Sequence, residues 1–157
     1  MVLSFGHPSK SSLTTGGFAA HYLYNPSFDY DYDRVVLVAK RAGKNKTRIH
    51  RLTDDQGVQY GFIALSVAVS NDKPCLVIDY LFVSQPYRGI NYPVLENKTI
   101  AGILIGFADQ VATEADQNFP LRYIALVPAN EKLEAYYANL GFRKLDSTNF
   151  MYLKLRN

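Results

Sequence analysis

The sequence predicts a mixed α/β fold with a mostly antiparallel central sheet and helices packed on its faces. Three observations carry this. Strand-like segments follow one another between turn signals up to residue 83. The runs 76–83 and 121–127 flank a strongly amphipathic helical segment, so these two strands can lie parallel across a crossover. A short capped helix and a closing hairpin end the chain. A length of 157 residues suits one domain, residues 1–157, with one core.

Residues 1–33 carry the weakest pattern. Ser11–Gly17 reads as loop, Phe18–Tyr24 as a short helix and Asn25-Pro26-Ser27 as a turn. Phe28–Tyr32 alternates aromatic and acidic residues, which fits an acceptor-site lining or a partly exposed edge segment. The β-branched run Val35–Lys40 predicts a strand, Gly43-Lys44-Asn45 a turn, and Thr47–Thr53 a strand pairing back. After the turn Asp54-Asp55-Gln56-Gly57, Val58–Val69 reads as a long strand in which Gly61 marks a candidate bulge. Ser70-Asn71-Asp72-Lys73-Pro74 turns the chain again. Leu76–Val83 is a continuous apolar run broken by Asp79, the pattern of a central strand. Residues 34–83 therefore predict an antiparallel meander.

Ser84–Asn97 is irregular. Beyond it, Ile100, Ile103, Leu104, Phe107, Ala108, Val111, Ala112 and Ala115 recur three and four residues apart, the stripe of one buried helix face. Leu121–Val127 follows as a strand. Asn130 suits an N-cap, Leu133, Tyr136, Tyr137 and Leu140 share a helix face, and Gly141 suits the stop. Phe142–Leu145 and Phe150–Leu155 are the last strands, joined through Asp146-Ser147-Thr148-Asn149.

Composition narrows the function classes. With 48% hydrophobic and 20% charged residues, the chain has the balance of a globular protein. No apolar run reaches the roughly 18 residues that cross a bilayer. Met1–Gly17 lacks the basic start and apolar stretch of a secretory signal, so no membrane association and a cytoplasmic location are expected. Cys75, the only cysteine, excludes an internal disulfide or a multi-cysteine metal site and reads as a buried structural residue. His7, His21 and His50 are scattered without ligand-like spacing, so no metal is expected. The net charge of +3 does not by itself argue for nucleic acid. The cations do cluster, at Lys40, Arg41, Lys44, Lys46, Arg48 and Arg51. They read as the rim of a solvated hairpin, with a phosphate contact as the alternative.

Three pieces between residues 75 and 155 resemble the GNAT (GCN5-related) N-acetyltransferase superfamily. The first is Ile78-Asp79-Tyr80-Leu81-Phe82-Val83 followed by Tyr87-Arg88-Gly89, similar to that family's central strand and the start of its pyrophosphate loop. The second is the helix from Thr99. The third is NEKLEAYYANLGF, Asn130–Phe142, similar to the family's Asn-x-x-Ala-x-x-x-Tyr-x-x-x-Gly-Phe pattern. The family usually carries Arg-Gly-x-Gly-x-Gly or Ala opening the helix directly. Here Ile90–Asn97 is inserted, Thr99 stands where a glycine is usual, and Ala101 occupies a position that accepts alanine.

The resemblance implies a GNAT-like acyl-CoA N-acyltransferase fold, acetyl-CoA as cosubstrate, and an amine acceptor of open class: a small molecule, a protein or an aminoacyl-tRNA. A homodimer is compatible with it. Amides around Arg88, Gly89, Lys98, Thr99, Ile100 and Ala101 would meet the diphosphate, because a helix N-terminus offers N–H donors and a favourable dipole. Backbone groups of Phe82 and Val83 would bond the pantetheine arm as another strand would, and a backbone N–H near Val83 would meet the oxyanion. Asn130 would contact the arm as well as cap its helix. Tyr137 would protonate the departing thiolate, with Tyr136 as the adjacent competitor and core packing as the alternative for both. Asp79, among apolar strand neighbours, would accept the amine's proton, with a structural ion pair as the alternative; Glu96 in the insertion is a weaker substitute. A non-catalytic module of the same fold, binding CoA or a partner, is the competing class.

Overall fold

The computed structural model describes residues 1–25, 29–70, 72–144 and 148–155, without the side chains of residues 29, 30 and 70. The elements are β1 (Leu3–Gly6), α1 (Lys10–Thr15), α2 (Asp29–Gly43), β2 (Arg48–Asp54), β3 (Gln59–Ser70), β4 (Lys73–Val83), α3 (Ile100–Asp116), β5 (Tyr123–Leu126), α4 (Glu131–Asn139), β6 (Arg143–Lys144) and β7 (Met151–Lys154). Seven strands form one sheet in the order β1-β2-β3-β4-β5-β7-β6. β1–β2 and β2–β3 are antiparallel. β4 and β5 are parallel across the α3 crossover, and β7 runs antiparallel to β5 and β6. This is the mixed, mostly antiparallel sheet that the pattern predicts. Among the described residues no helix is long and apolar enough to cross a membrane.

The N-terminal third departs from expectation. Val35–Lys40 is helix, not strand, so the meander begins at Arg48. Val35, Val38, Ala39 and Ala42 are all buried while Leu37 is 59% exposed, a three-and-four spacing that overrides β-branched propensity. The basic cluster is accordingly no hairpin rim: it runs from the last turn of α2 through the connection into β2. Ser11–Gly17 is mostly α1, capped by Ser9, whose hydroxyl accepts the Ser12 N–H at 3.3 Å. Phe18–Tyr24 contributes only the 3-10 turn Ala19–His21, and residues 3–6, unread as a strand, form β1. Parts of five expected segments lie outside the described residues: Pro26-Ser27 of the early turn, Phe28 of the aromatic-acidic stretch, Asn71 of the β3–β4 turn, Leu145 of the strand Phe142–Leu145 and Asp146-Ser147 of the turn after it.

The chain divides into two compact units, Met1–Leu65 with Tyr80–Gly106, and Ser66–Asp79 with Phe107–Asn157. In the first, Phe18, Tyr22, Val35, Val38, Ile49, Phe62 and Phe82 belong to one buried cluster. Phe18 and Phe62 meet edge-on at 5.1 Å and Tyr22 and Phe82 at 5.6 Å. Each such fully buried side chain contributes about 1.5–3 kcal/mol. The expected irregularity at Gly61 is real: the β2–β3 register shifts there, pairing Leu52 with Gly61 and Thr53 with Gln59. A Cβ on Gly61 would collide with the Phe82 carbonyl oxygen and stand 3.1 Å from the Val83 Cα. Gly61→Ala should therefore cost about 1–3 kcal/mol, the usual range for overpacking, measurable as a lowered urea midpoint.

His50 lies half-buried with its ring centroid 4.7 Å from that of His7. Burial first, then His7 and Arg48, lower its pKa to about 4. Unfolding restores the ordinary value of about 6.5, so the unfolded chain binds more protons between the two. The stability tied to neutral His50 is present above pH 6.5 and is lost as pH falls through 4. Urea midpoints measured across that interval should drop, and His50→Gln should flatten the drop.

In the second unit, β5 pairs with β4 from Cys75↔Tyr123 to Ile78↔Leu126. Cys75, Ala125 and Tyr152 form a buried cluster, with Val77, Tyr123 and Phe150 against it. Cys75 is buried, as expected. α4 starts at the Asn130 cap, whose Oδ1 accepts the Leu133 N–H at 2.9 Å. It stops before Gly141, whose φ of +103° favours glycine.

Candidate active site

Within the first unit, the end of β4 is pinned on several sides. The Ser84 N–H donates to the Tyr60 carbonyl at 2.9 Å. The buried Ser84 hydroxyl accepts the Leu23 N–H at 2.9 Å, and the Gln85 N–H donates to the Leu23 carbonyl at 2.9 Å. Hydrogen-bonding direction alternates along a strand. Ser84 and Phe82 therefore face β3, consistent with the Phe82 carbonyl pressing on Gly61. Leu81 and Val83 direct their backbone groups the other way. Of the two residues expected to serve a strand-like ligand, Val83 turns its backbone away from β3 and Phe82 turns toward it. Leu81 shares the facing of Val83.

Arg88 is engaged locally. Its Nε donates to the Val83 carbonyl at 2.8 Å, its guanidinium lies 3.6 Å from the Asp31 carboxylate, and it stands 5.1 Å from the Phe82 ring centroid. The guanidinium thus braces the end of β4 against the first turn of α2. Asp31 has no signal in the sequence because the stretch does not read as helix.

The insertion Ile90–Asn97 is a closed excursion. Tyr92 and Lys98 form an isolated antiparallel bridge at its base. A 3-10 turn, Pro93–Leu95, lies inside, followed by Glu96 and Asn97 with φ of 58° and 62°. The loop consumes its own donors: the N–H groups of Tyr92, Leu95, Glu96, Asn97 and Lys98 all bond within it. Lys98 therefore has no amide to offer, and its ammonium lies 3.6 Å from exposed Glu96. On either side of the excursion the picture differs. Gly89 has φ +70° and open space where a Cβ would sit. Thr99 caps α3, its hydroxyl accepting the Gly102 N–H at 3.0 Å. That leaves the N–H groups of Ile100 and Ala101 without intrahelical partners. The first turn of α3 carries no acidic side chain to answer the dipole. Two free amides, an uncompensated dipole and a glycine with clearance fit a diphosphate.

Asp79, Asn130 and Tyr137 belong to the second unit. Asp79 is half-buried, one residue past the last β4–β5 pair. Asn130 uses Oδ1 for the cap, leaving its amide NH2. Tyr137 is buried, with ring centroids 5.5 Å from Tyr136 and 5.7 Å from Phe142. Burial, and secondarily Tyr136, push its phenol up to about 12. It is therefore protonated at neutral pH, as a proton donor must be. Tyr136 is the more exposed of the pair. Among the described residues no group of three or more His, Cys, Asp or Glu side chains is placed to hold a metal ion.

No protein family model matches this sequence, and no curated protein matches it. Solved structures do. A tyrosine-to-phenylalanine mutant of the toxin AtaT, bound to the C-terminus of the antitoxin AtaR and acetyl-CoA, aligns with TM-score 0.71 at 13% identity, over 99% of this chain and 94% of that one. A tyrosine-to-phenylalanine mutant of KacT aligns with TM-score 0.72 at 13% identity, over 99% and 96%. AtaT complexed with acetyl-methionyl-tRNAfMet aligns with TM-score 0.67 at 12% identity, over 97% and 94%. The chain has the GNAT-like acetyltransferase fold of AtaT and KacT.

Proposed function

We propose that residues 1–157 act as one acetyl-CoA-dependent N-acetyltransferase domain that passes the acetyl group directly to a primary amine. The observation that carries this is the start of α3. Ile100 and Ala101 have free N–H groups there, the first turn lacks an acid, and Gly89 precedes the excursion with room for a ligand. AtaT solved with acetyl-CoA supports the reading. Gly89, Ile100 and Ala101 would hold the diphosphate, helped by the Lys98 ammonium. Backbone groups of Leu81 would bond the pantetheine arm and Asn130 would contact it, while the Val83 carbonyl accepts from Arg88 and the Val83 N–H would face the thioester. Arg88 would position Val83 rather than touch phosphate.

In the reaction the amine nitrogen forms a bond to the thioester carbonyl carbon and the carbon–sulfur bond breaks. Asp79, directly or through water, would take the proton the amine loses. The Val83 N–H would stabilise the oxyanion, and Tyr137 would give its proton to the leaving thiolate. Thr99 serves by capping the helix. An aminoacyl-tRNA acceptor is favoured among the open classes by the AtaT complex with acetyl-methionyl-tRNAfMet. The competing reading, a non-catalytic module binding CoA or a protein partner, draws on the insertion, which spends the Lys98 amide on itself.

Thermal unfolding with acetyl-CoA tests the assignment. At about 100 times the dissociation constant, linkage stabilises the fold by about 2.7 kcal/mol, a clear rise in melting temperature. No shift at millimolar acetyl-CoA would contradict the proposal.

A further inference from the structure

The basic run has no part in this chemistry, and one of its members, Arg48, lines a recess. A cavity of about 200 Å³ opens near the start of β2, lined by His7, Lys10, Leu13, Asn45, Arg48 and Ile49 among others. A water's share of liquid volume is about 30 Å³, so a hydrated phosphate group fits. Among the described residues, no Asp or Glu lines the recess. The charge extends well beyond it. Residues 40–53 contain six Lys and Arg and no Asp or Glu, more than the whole chain's excess of +3. Lys40, Arg41, Lys44, Lys46 and Arg48 are exposed, and no ion pair among the described residues uses them.

The surroundings decide which groups can act. The His7 Nδ1–H donates to the Ile49 carbonyl at 3.1 Å, which holds the ring at the wall of the recess. His50, with its pKa lowered to about 4, stays neutral beside it. Lys10 and Arg48 bring positive charge to the recess, and a guanidinium fork matches phosphate oxygens. One phosphate needs few cations. Exposed cations that follow one another along the chain from the last turn of α2, through Lys44 and Lys46, into β2 suit successive phosphates.

We propose that this recess is a phosphate-binding site and that the flanking cations form a track for the backbone of a nucleic-acid strand. The assignment rests on shape and charge, and its link to acetyl transfer rests on the aminoacyl-tRNA reading of the acceptor. Fluorescence anisotropy with a labelled single-stranded RNA oligonucleotide tests it. Affinity should fall as salt rises from about 50 to 200 mM, with a log–log slope of about −0.7 per phosphate contacted. Lys44→Glu with Arg48→Glu should weaken binding at least tenfold, and Arg48→Gln more mildly. Lys132→Glu, an exposed charge change on α4, should leave it unaltered. Melting temperature and its acetyl-CoA shift should be unchanged in all variants, which separates this site from the cofactor. Absence of salt-dependent RNA binding, or binding indifferent to Arg48, would overturn the proposal. So would stabilisation by inorganic phosphate or a phosphate monoester without RNA binding, since the phosphate source would then be a small ligand.

Discussion

Tyr137→Phe is expected to lower acetyl-transfer turnover by roughly 10²- to 10⁴-fold, the range for loss of a general acid. The substitution keeps the ring and its edge-on contacts with Tyr136 and Phe142 and removes only the hydroxyl. No hydrogen bond of that hydroxyl to another described residue holds the fold together, so melting temperature and CoA affinity should change little. Tyr136→Phe is the control and should be nearly silent. With the Tyr137 pKa near 12, activity should not fall on the alkaline side through this group below about pH 10. Loss of turnover in Tyr136→Phe alone would assign the acid to its neighbour. Full turnover in both would make the tyrosines core packing.

A loss of CoA affinity of about 10- to 100-fold is expected from Ala101→Glu, matching the 1.5–3 kcal/mol of hydrogen bonds to charged groups. The new carboxylate would sit in the first turn of α3 and compete for the free amides and the dipole. Gly89→Pro should act similarly, because proline removes an N–H and cannot adopt the φ of +70° found there. Calorimetric titration with CoA reads both. If both variants bind CoA normally, the diphosphate lies elsewhere.

What the sequence made legible follows from how local each signal is. α3 and α4 could be read because their apolar stripes repeat at helical spacing and their ends carry Thr99, Asn130 and Gly141. β3 and β4 could be read because turn residues bracket them. α2 could not, because Val35, Val36 and Val38 favour strands in isolation and only packing against Ile49, Phe62 and Phe82 selects the helix. α1 is six residues of mostly Ser, Thr and Lys, held by the Ser9 cap and by Thr14 and Thr15 hydroxyls donating to the Ser11 carbonyl. The site was legible as a region but not in its details. The Tyr92–Lys98 closure, the facing of Leu81 rather than Phe82, and the Arg88–Asp31 brace all depend on contacts that no spacing rule encodes.

The most direct test of the account is a thiol-release assay with acetyl-CoA and a panel of primary amines that includes aminoacyl-tRNA, with the products checked by mass spectrometry. The account predicts that at least one amine raises free thiol above the hydrolysis background and appears as its acetamide, and that Tyr137→Phe abolishes the rise. Binding of acetyl-CoA with no amine in the panel accelerating thiol release would contradict it and identify the chain as a binding module with an acetyltransferase fold.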